Sequence, residues 1–203
     1  MIVSLICALA LAPPAREFFP LVPGTVWHYD DGGKPRSMQS KDTVGQPVDI
    51  GGRKAIPVIS TLGGVEAEVI YYIDEGDTIS IVGYQKGKPL EMPMPVLKVT
   101  DKTEKWEYVG ETPFAGGNVP LRMKAESKKG RNRKVLGKDV ETWECSYDAT
   151  MGGGETATTV KQRAVYARGI GLVEMTNEGR IGRNVHKRTL TLVRFEPGQP
   201  ATP

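Results

Sequence analysis

Apolar and polar positions alternate with a period of two along most of this chain, a pattern that predicts strands and not helices. Thr25, Trp27 and Tyr29 fall on one face of a short run, with Val26, His28 and Asp30 on the other. The clearest alternation runs from Val65 to Ile73, where Val65, Ala67, Val69, Tyr71 and Ile73 share a face and Glu66 and Glu68 point away. Asp74-Glu75-Gly76-Asp77 then turns the chain into residues 78–84, its hairpin partner. Trp106 and Tyr108 alternate in another strand, and 119–126 follows. In 140–147, Trp143, Cys145 and Tyr147 align against Thr142, Glu144 and Ser146. Residues 156–167, 172–175 and 189–195 complete the series.

Two stretches are less regular. Residues 37–50 read as one polar strand, and Pro57 marks 55–62 as an edge strand or a bulge. Residues 89–97 hold Pro89, Pro93 and Pro95, which remove ladder donors. That segment reads as an extended stretch crossing the end of a sheet. Nowhere do apolar residues recur at helical spacing over three turns. The expected fold is all-β with little helix: an antiparallel barrel, half-barrel or strongly curved sheet of roughly ten strands, because closure removes exposed edges. Trp27, Tyr29, Tyr71, Trp106, Trp143 and Tyr166 are the residues expected on its inner apolar face.

Composition supports this reading. The 24 glycines and 15 prolines are spread along 203 residues, so they mark repeated turns and not a linker. A chain of this length suits one domain with its own core. Residues 2–12 are uncharged and apolar, too short to span a bilayer as a helix but matching the core of a signal peptide. Ala10, Ala12 and Ala15 offer cleavage points. The organisation expected is a signal peptide at 1–15, a single β domain at 16–197 and a disordered tail at 198–203. The protein is expected to be exported, periplasmic or extracellular. Lipid anchoring is disfavoured, because Ile6 precedes Cys7 where a lipoprotein box needs a small residue. Loss of Cys7 with the leader leaves Cys145 alone, so no intramolecular disulfide staples the core.

Two segments carry a resemblance. Phe19-Pro20-Leu21, Gly24, Trp27 and Tyr29 resemble the FPLxxGxxWxY opening of a loose group of secreted bacterial proteins. Tyr166-Ala167-Arg168-Gly169-Ile170-Gly171-Leu172-Val173 resembles that group's YAxGVGLV signature, and Trp143 in the preceding strand fits its pattern. Together they cover about a quarter of the chain. The group is similar to the DUF3108 and LolA/LppX-like half-barrels of the cell envelope, several of which carry lipid or lipoprotein ligands. The resemblance implies a half-barrel fold, an envelope location and a hydrophobic ligand. The sequence lacks the amphipathic helices that plug a LolA-like half-barrel.

Candidate chemistry is sparse. His28 and His186 stand apart from any Cys/His/carboxylate cluster at metal spacing, so no metal site is expected. Cys145 shares a face with two aromatics and reads as a buried structural thiol. The Asp74–Asp77 carboxylates suit a hairpin turn and match no calcium loop. The glycines at 152–154 lack the Lys-Ser/Thr and helix of a phosphate loop. No catalytic residue and no cofactor are assigned. A basic run, Lys128, Lys129, Arg131, Arg133 and Lys134, would suit peripheral contact with an anionic membrane if it met the second cluster, Arg180, Arg183, Lys187 and Arg188. Neither interleaves aromatics for base stacking, and nucleic acid is not an expected partner.

The reading that results is a non-catalytic exported envelope protein that binds a hydrophobic ligand, such as a lipid, or another envelope protein. Its alternatives are a secreted hydrolase with carboxylates on loops and an assembly module that pairs through a sheet edge.

Overall fold

The computed structural model describes residues 12–32, 40–85, 88–114, 117–154, 157–182 and 184–199. The leader at 1–11, the 33–39 part of the first turn and polar strand, Glu155, Arg183 and residues 200–203 lie outside the described residues. A single 3-10 turn, Ala15–Glu17, precedes the strands. In chain order these are β1 (Val26–Asp30), β2 (Ser40–Val44), β3 (Val48–Ile50), β4 (Arg53–Leu62), β5 (Val65–Asp74), β6 (Thr78–Gln85), β7 (Lys88–Lys98) and β8 (Glu104–Phe114). They continue as β9 (Gly117–Lys129), β10 (Arg133–Val135), β11 (Lys138–Val140), β12 (Thr142–Met151), β13 (Thr158–Ala167), β14 (Gly171–Ile181) and β15 (Asn184–Glu196).

Twelve of them form one antiparallel sheet in the order β7-β6-β5-β4-β2-β1-β15-β14-β13-β12-β9-β8. It curls into a nearly closed barrel, larger than the ten strands expected. β3 pairs only with β4, and β10 pairs with β11 as a separate hairpin. Neighbouring strands joined by short turns account for most of the order. The exception is β1, which lies between β2 and the last strand and brings the two ends of the chain together.

The two irregular stretches resolve physically. Residues 37–50 are two strands, β2 and β3, which pair in succession with the same side of β4. Pro57 sits where one partner gives way to the other. Its carbonyl accepts from Gly45 N–H at 2.8 Å, so its missing donor faces the break in the ladder. Pro57 is thus inside the sheet at an irregularity, not on an edge. Residues 89–97 lie in β7, a full edge strand.

β7 and β8, the two edges, share no ladder among the described residues. They are joined by side chains. Trp106 Nε1 donates to the Pro95 carbonyl at 3.2 Å and the Tyr108 hydroxyl to the Met92 carbonyl at 3.4 Å. The Tyr147 hydroxyl donates to the Val96 carbonyl, and Ser127 Oγ to that of Lys98. Ser127 in turn accepts from Trp143 Nε1 at 2.6 Å and from Cys145 Sγ at 3.3 Å. A buried hydroxyl flanked by a Trp and a thiol therefore pins the end of the seam.

Outside, charges alternate across the strands. Glu107, Lys124, Asp148, Lys161, Glu178 and Lys187 form one row in register from β8 to β15. Lys124 pairs with Glu107 at 3.5 Å and Lys187 with Glu178 at 2.9 Å. Such a wall faces water and is incompatible with the apolar band of a lipid-exposed barrel. Among the described residues no helix is long and apolar enough to cross a membrane.

Ala15 is fully buried, with its N–H on the Gly76 carbonyl at 2.8 Å, and Gly198 N–H donates to Thr25 Oγ1 at 3.1 Å. Near the floor, Gly171 has φ +110°, and a Cβ there would lie 2.8 Å from Trp27 Nε1, which donates to the Ile170 carbonyl. Gly171→Ala is therefore expected to destabilise the fold by at least about 2 kcal/mol. Gly179→Ala in the same strand, with open space around it, should change stability by no more than about 0.5 kcal/mol. Urea midpoints at constant slope measure both.

Candidate functional site

The segment before β1 closes one end of the barrel. Phe18 and Phe19 turn inward from the 3-10 turn and are buried. Phe19 stacks on Trp27 at 5.5 Å and stands edge-on to Tyr72 at 5.2 Å and Tyr166 at 5.8 Å, while Phe18 packs on Trp143 at 5.6 Å. Arg168 fastens this floor from outside through Glu17 and Glu141.

Above Phe19 the interior is not filled. A cavity of about 530 Å³ occupies the upper part of the barrel and draws its wall from strands on all sides. Tyr29, Tyr72, Tyr84, Tyr147 and Tyr166 line it together with Met94, Met123, Met151 and Met175. Several of these inward-facing side chains, Tyr72, Tyr84, Met151 and Met175 among them, are only half-buried although they point inside. A space of this size, mostly apolar with a few polar groups, has the character of a small-molecule site.

The polar groups come from two cross-strand rows. Asp42, Ser60 and Glu68 stand side by side on β2, β4 and β5. Tyr147, Gln162 and Arg188 come from a second row, on β12, β13 and β15. Burial pushes the Asp42 carboxyl up, opposed by a hydrogen bond from Ser60 and the charge of Arg188. Glu68 lies nearer the rim and is more exposed. Its carboxyl is also pushed up, by loss of water first and by the Asp42 charge second. Burial raises the tyrosines too, Tyr84 to about 12 and Tyr29 and Tyr72 well above their ordinary value. All are neutral at physiological pH.

The expected site residues separate into four groups. Tyr29 and Tyr166 line the cavity. Trp27 and Trp143 are buried in the packed floor. Trp106 lies on the seam, with Lys98 Nζ 5.4 Å above its ring. Tyr71 is a correction: it faces outward, in a small second cluster with Ile50, Ala55 and Val82 beneath β3. Its neighbour Tyr72 takes the inner position. The alternation of β5 is kept from Glu68 to Ile73 with its faces exchanged: Glu68, Ile70 and Tyr72 line the cavity, while Val69, Tyr71 and Ile73 lie in the outer cluster. Glu68 accordingly lines the cavity instead of pointing away.

Asp42, the methionines and Phe19 carry no sequence signal as a site, since only barrel closure brings them together. Cys145 is buried, and its thiol is pushed up to about 11 by burial, which leaves it unreactive. The basic run is largely compensated. Lys128 pairs with Glu126 at 2.9 Å, Lys129 with Glu141, and Arg133 with Glu174 at 3.1 Å and Glu144 at 3.4 Å. Arg131 and Lys134 are exposed. The register puts this run at the floor end and Arg180, Lys187 and Arg188 toward the opposite rim, so the two clusters do not meet.

No family model matches the chain, and no curated protein matches it. A crystal structure of a candidate lipoprotein from Parabacteroides distasonis is similar in fold, with a TM-score of 0.41 and 13% identity. The match covers 88% of this chain and 98% of that one.

The raised Asp42 carboxyl has a thermodynamic consequence. The folded state holds this proton to higher pH than the unfolded chain does, so stability falls as pH rises through the raised value. Asp42→Asn is expected to melt at least roughly 2 °C above the wild type near pH 8, with the gain vanishing near pH 3, where both states are protonated. Thermal melts followed by circular dichroism across that range check the sign.

Proposed function

We propose that the protein is an exported, non-catalytic envelope protein that holds a small hydrophobic molecule in the lumen of its barrel. The observation that carries this reading is the unfilled interior above Phe19, walled by tyrosines and methionines. A core built only for stability would be packed, because voids forfeit contacts and lower stability. Methionine adds a wall that can adapt to ligand shape. Export is supported by the apolar run at 2–12, which has the length of a signal peptide core. Closure of the sheet on itself weakens the case for an assembly module working through an exposed edge.

A hydrolytic reading draws on Asp42 and Glu68, two carboxyls on one wall with Ser60 between them. Ser60 and Arg188 pull Asp42 down while Asp42 pushes Glu68 up, the sense an acid and base pair needs. The surrounding wall argues against a sugar substrate, which needs hydrogen-bonding partners along its length and an open cleft. This lumen is aromatic and aliphatic, and its floor is closed by Phe19.

Titration with N-phenylnaphthylamine, an uncharged apolar fluorophore, tests the carrier reading. One-to-one binding with a blue-shifted emission is expected. Ala149→Trp, which projects a large ring from the cavity wall, should weaken binding at least about tenfold. Val193→Trp, on the exposed outer face, should leave it unchanged. Equal binding by both variants would remove the lumen as the site.

A further inference from the structure

The upper lumen is rich in acceptors and in aromatic faces and poor in cations. Arg188 is the one cationic residue among the described residues that line it, and its guanidinium is directed at Asp31, 3.6 Å away. Asp42 and Glu68 face the same space from adjacent wall positions. Tyr72 lies within electrostatic reach of both. Tyr29 and Tyr166 complete an aromatic surround beside the acids.

Each of these features selects by charge. An anionic head would meet two carboxyls and the negative faces of tyrosine rings. A neutral head would leave Glu68 with no cation beside it and Asp42 with only the Ser60 hydroxyl and the charge of Arg188. A cationic head places its single positive charge between the two acids, donates to their carboxyl oxygens and gains cation–π contact with the rings. We infer that the ligand of this lumen is a cationic amphiphile, an organic ammonium group on an apolar chain, with the ammonium between Asp42, Glu68 and Tyr72 and the chain against the methionines. The inference rests on the carrier reading above and names its ligand class. The cost of keeping Asp42 out of water in the empty protein then has a use, because the ligand's charge relieves it. Discrimination by a repulsive element against the wrong head is a general route to specificity.

The test uses three probes of one chain length, dodecylammonium, dodecanoate and dodecan-1-ol, each below its micelle or solubility limit. Calorimetric titration at neutral pH is paired with circular dichroism to confirm that the fold is kept. Dodecylammonium is expected to bind one-to-one and at least about tenfold more tightly than either other probe. Asp42→Asn with Glu68→Gln should bring the three to near parity, and Glu68→Gln alone, the less buried change, should give part of that loss. If dodecanoate or dodecan-1-ol binds the wild type as tightly, or the folded double variant keeps the preference, the head-group inference is overturned while the carrier reading stands. If none of the three binds and N-phenylnaphthylamine also fails, the carrier reading itself falls.

Discussion

Everything inside this barrel depends on how its two edges meet. β7 carries prolines at 89, 93 and 95, and each removes a donor that a neighbouring strand would use. The seam replaces the ladder with side chains. Trp106, Tyr108, Tyr147 and Ser127 reach across from β8, β9 and β12 to carbonyls of β7. Those carbonyls are satisfied, as buried acceptors must be, while the prolines keep the edge from pairing with another chain. A fold closed in this way uses its large aromatics at the wall instead of spending them on filling the centre.

An open centre follows from strand number. A barrel of about eight strands has an interior that side chains can fill, and the space widens as strands are added. With twelve strands in the sheet, the inward side chains do not meet across the middle. Phe18 and Phe19 occupy the lower end and convert it into a packed floor with Trp27 and Trp143. No comparable plug enters from above among the described residues, so the upper half remains a chamber. The 3-10 turn that sets the two phenylalanines is held by Gly76, by Gly169 and by the Arg168–Glu17 pair. Floor, wall and chamber thus share one cause, closure of a wide sheet with a single internal wedge.

This division explains what the sequence made legible. Period-two alternation marks each strand separately, so the fold class, the inward aim of Trp27, Tyr29, Trp143 and Tyr166, and the buried thiol of Cys145 could all be read locally. Tyr71 is misplaced because alternation separates the two faces of β5 without saying which is inside, and the more apolar one, with Val69 and Ile73, is the outer face. The cover that β3 gives to the outer face also makes an outward tyrosine look like an inward one. β7 escaped because proline is read as breaking strands, although here it makes an edge. The chamber could not be read at all. Asp42 and Glu68 sit in ordinary polar positions 26 residues apart in the numbering, and only the ladder β2-β4-β5 brings them together around Ser60.

The two kinds of charge in this molecule therefore have different explanations. Outside, Glu126, Glu141, Glu144 and Glu178 each lie beside lysine or arginine, and their carboxyls are held below the usual range by those partners. Such pairs keep the wall wet and the register fixed while contributing little to stability individually. Inside, Asp42 and Glu68 shift the other way, because water is lost and their only compensation is a serine hydroxyl and a distant guanidinium. Packing gains nothing from them, since leucines at these positions would deepen an apolar interior. Groups that work against the fold at a water-reachable chamber are where binding specificity is normally found. The barrel is thus held together by its seam and floor, and neither requires the two acids of the chamber.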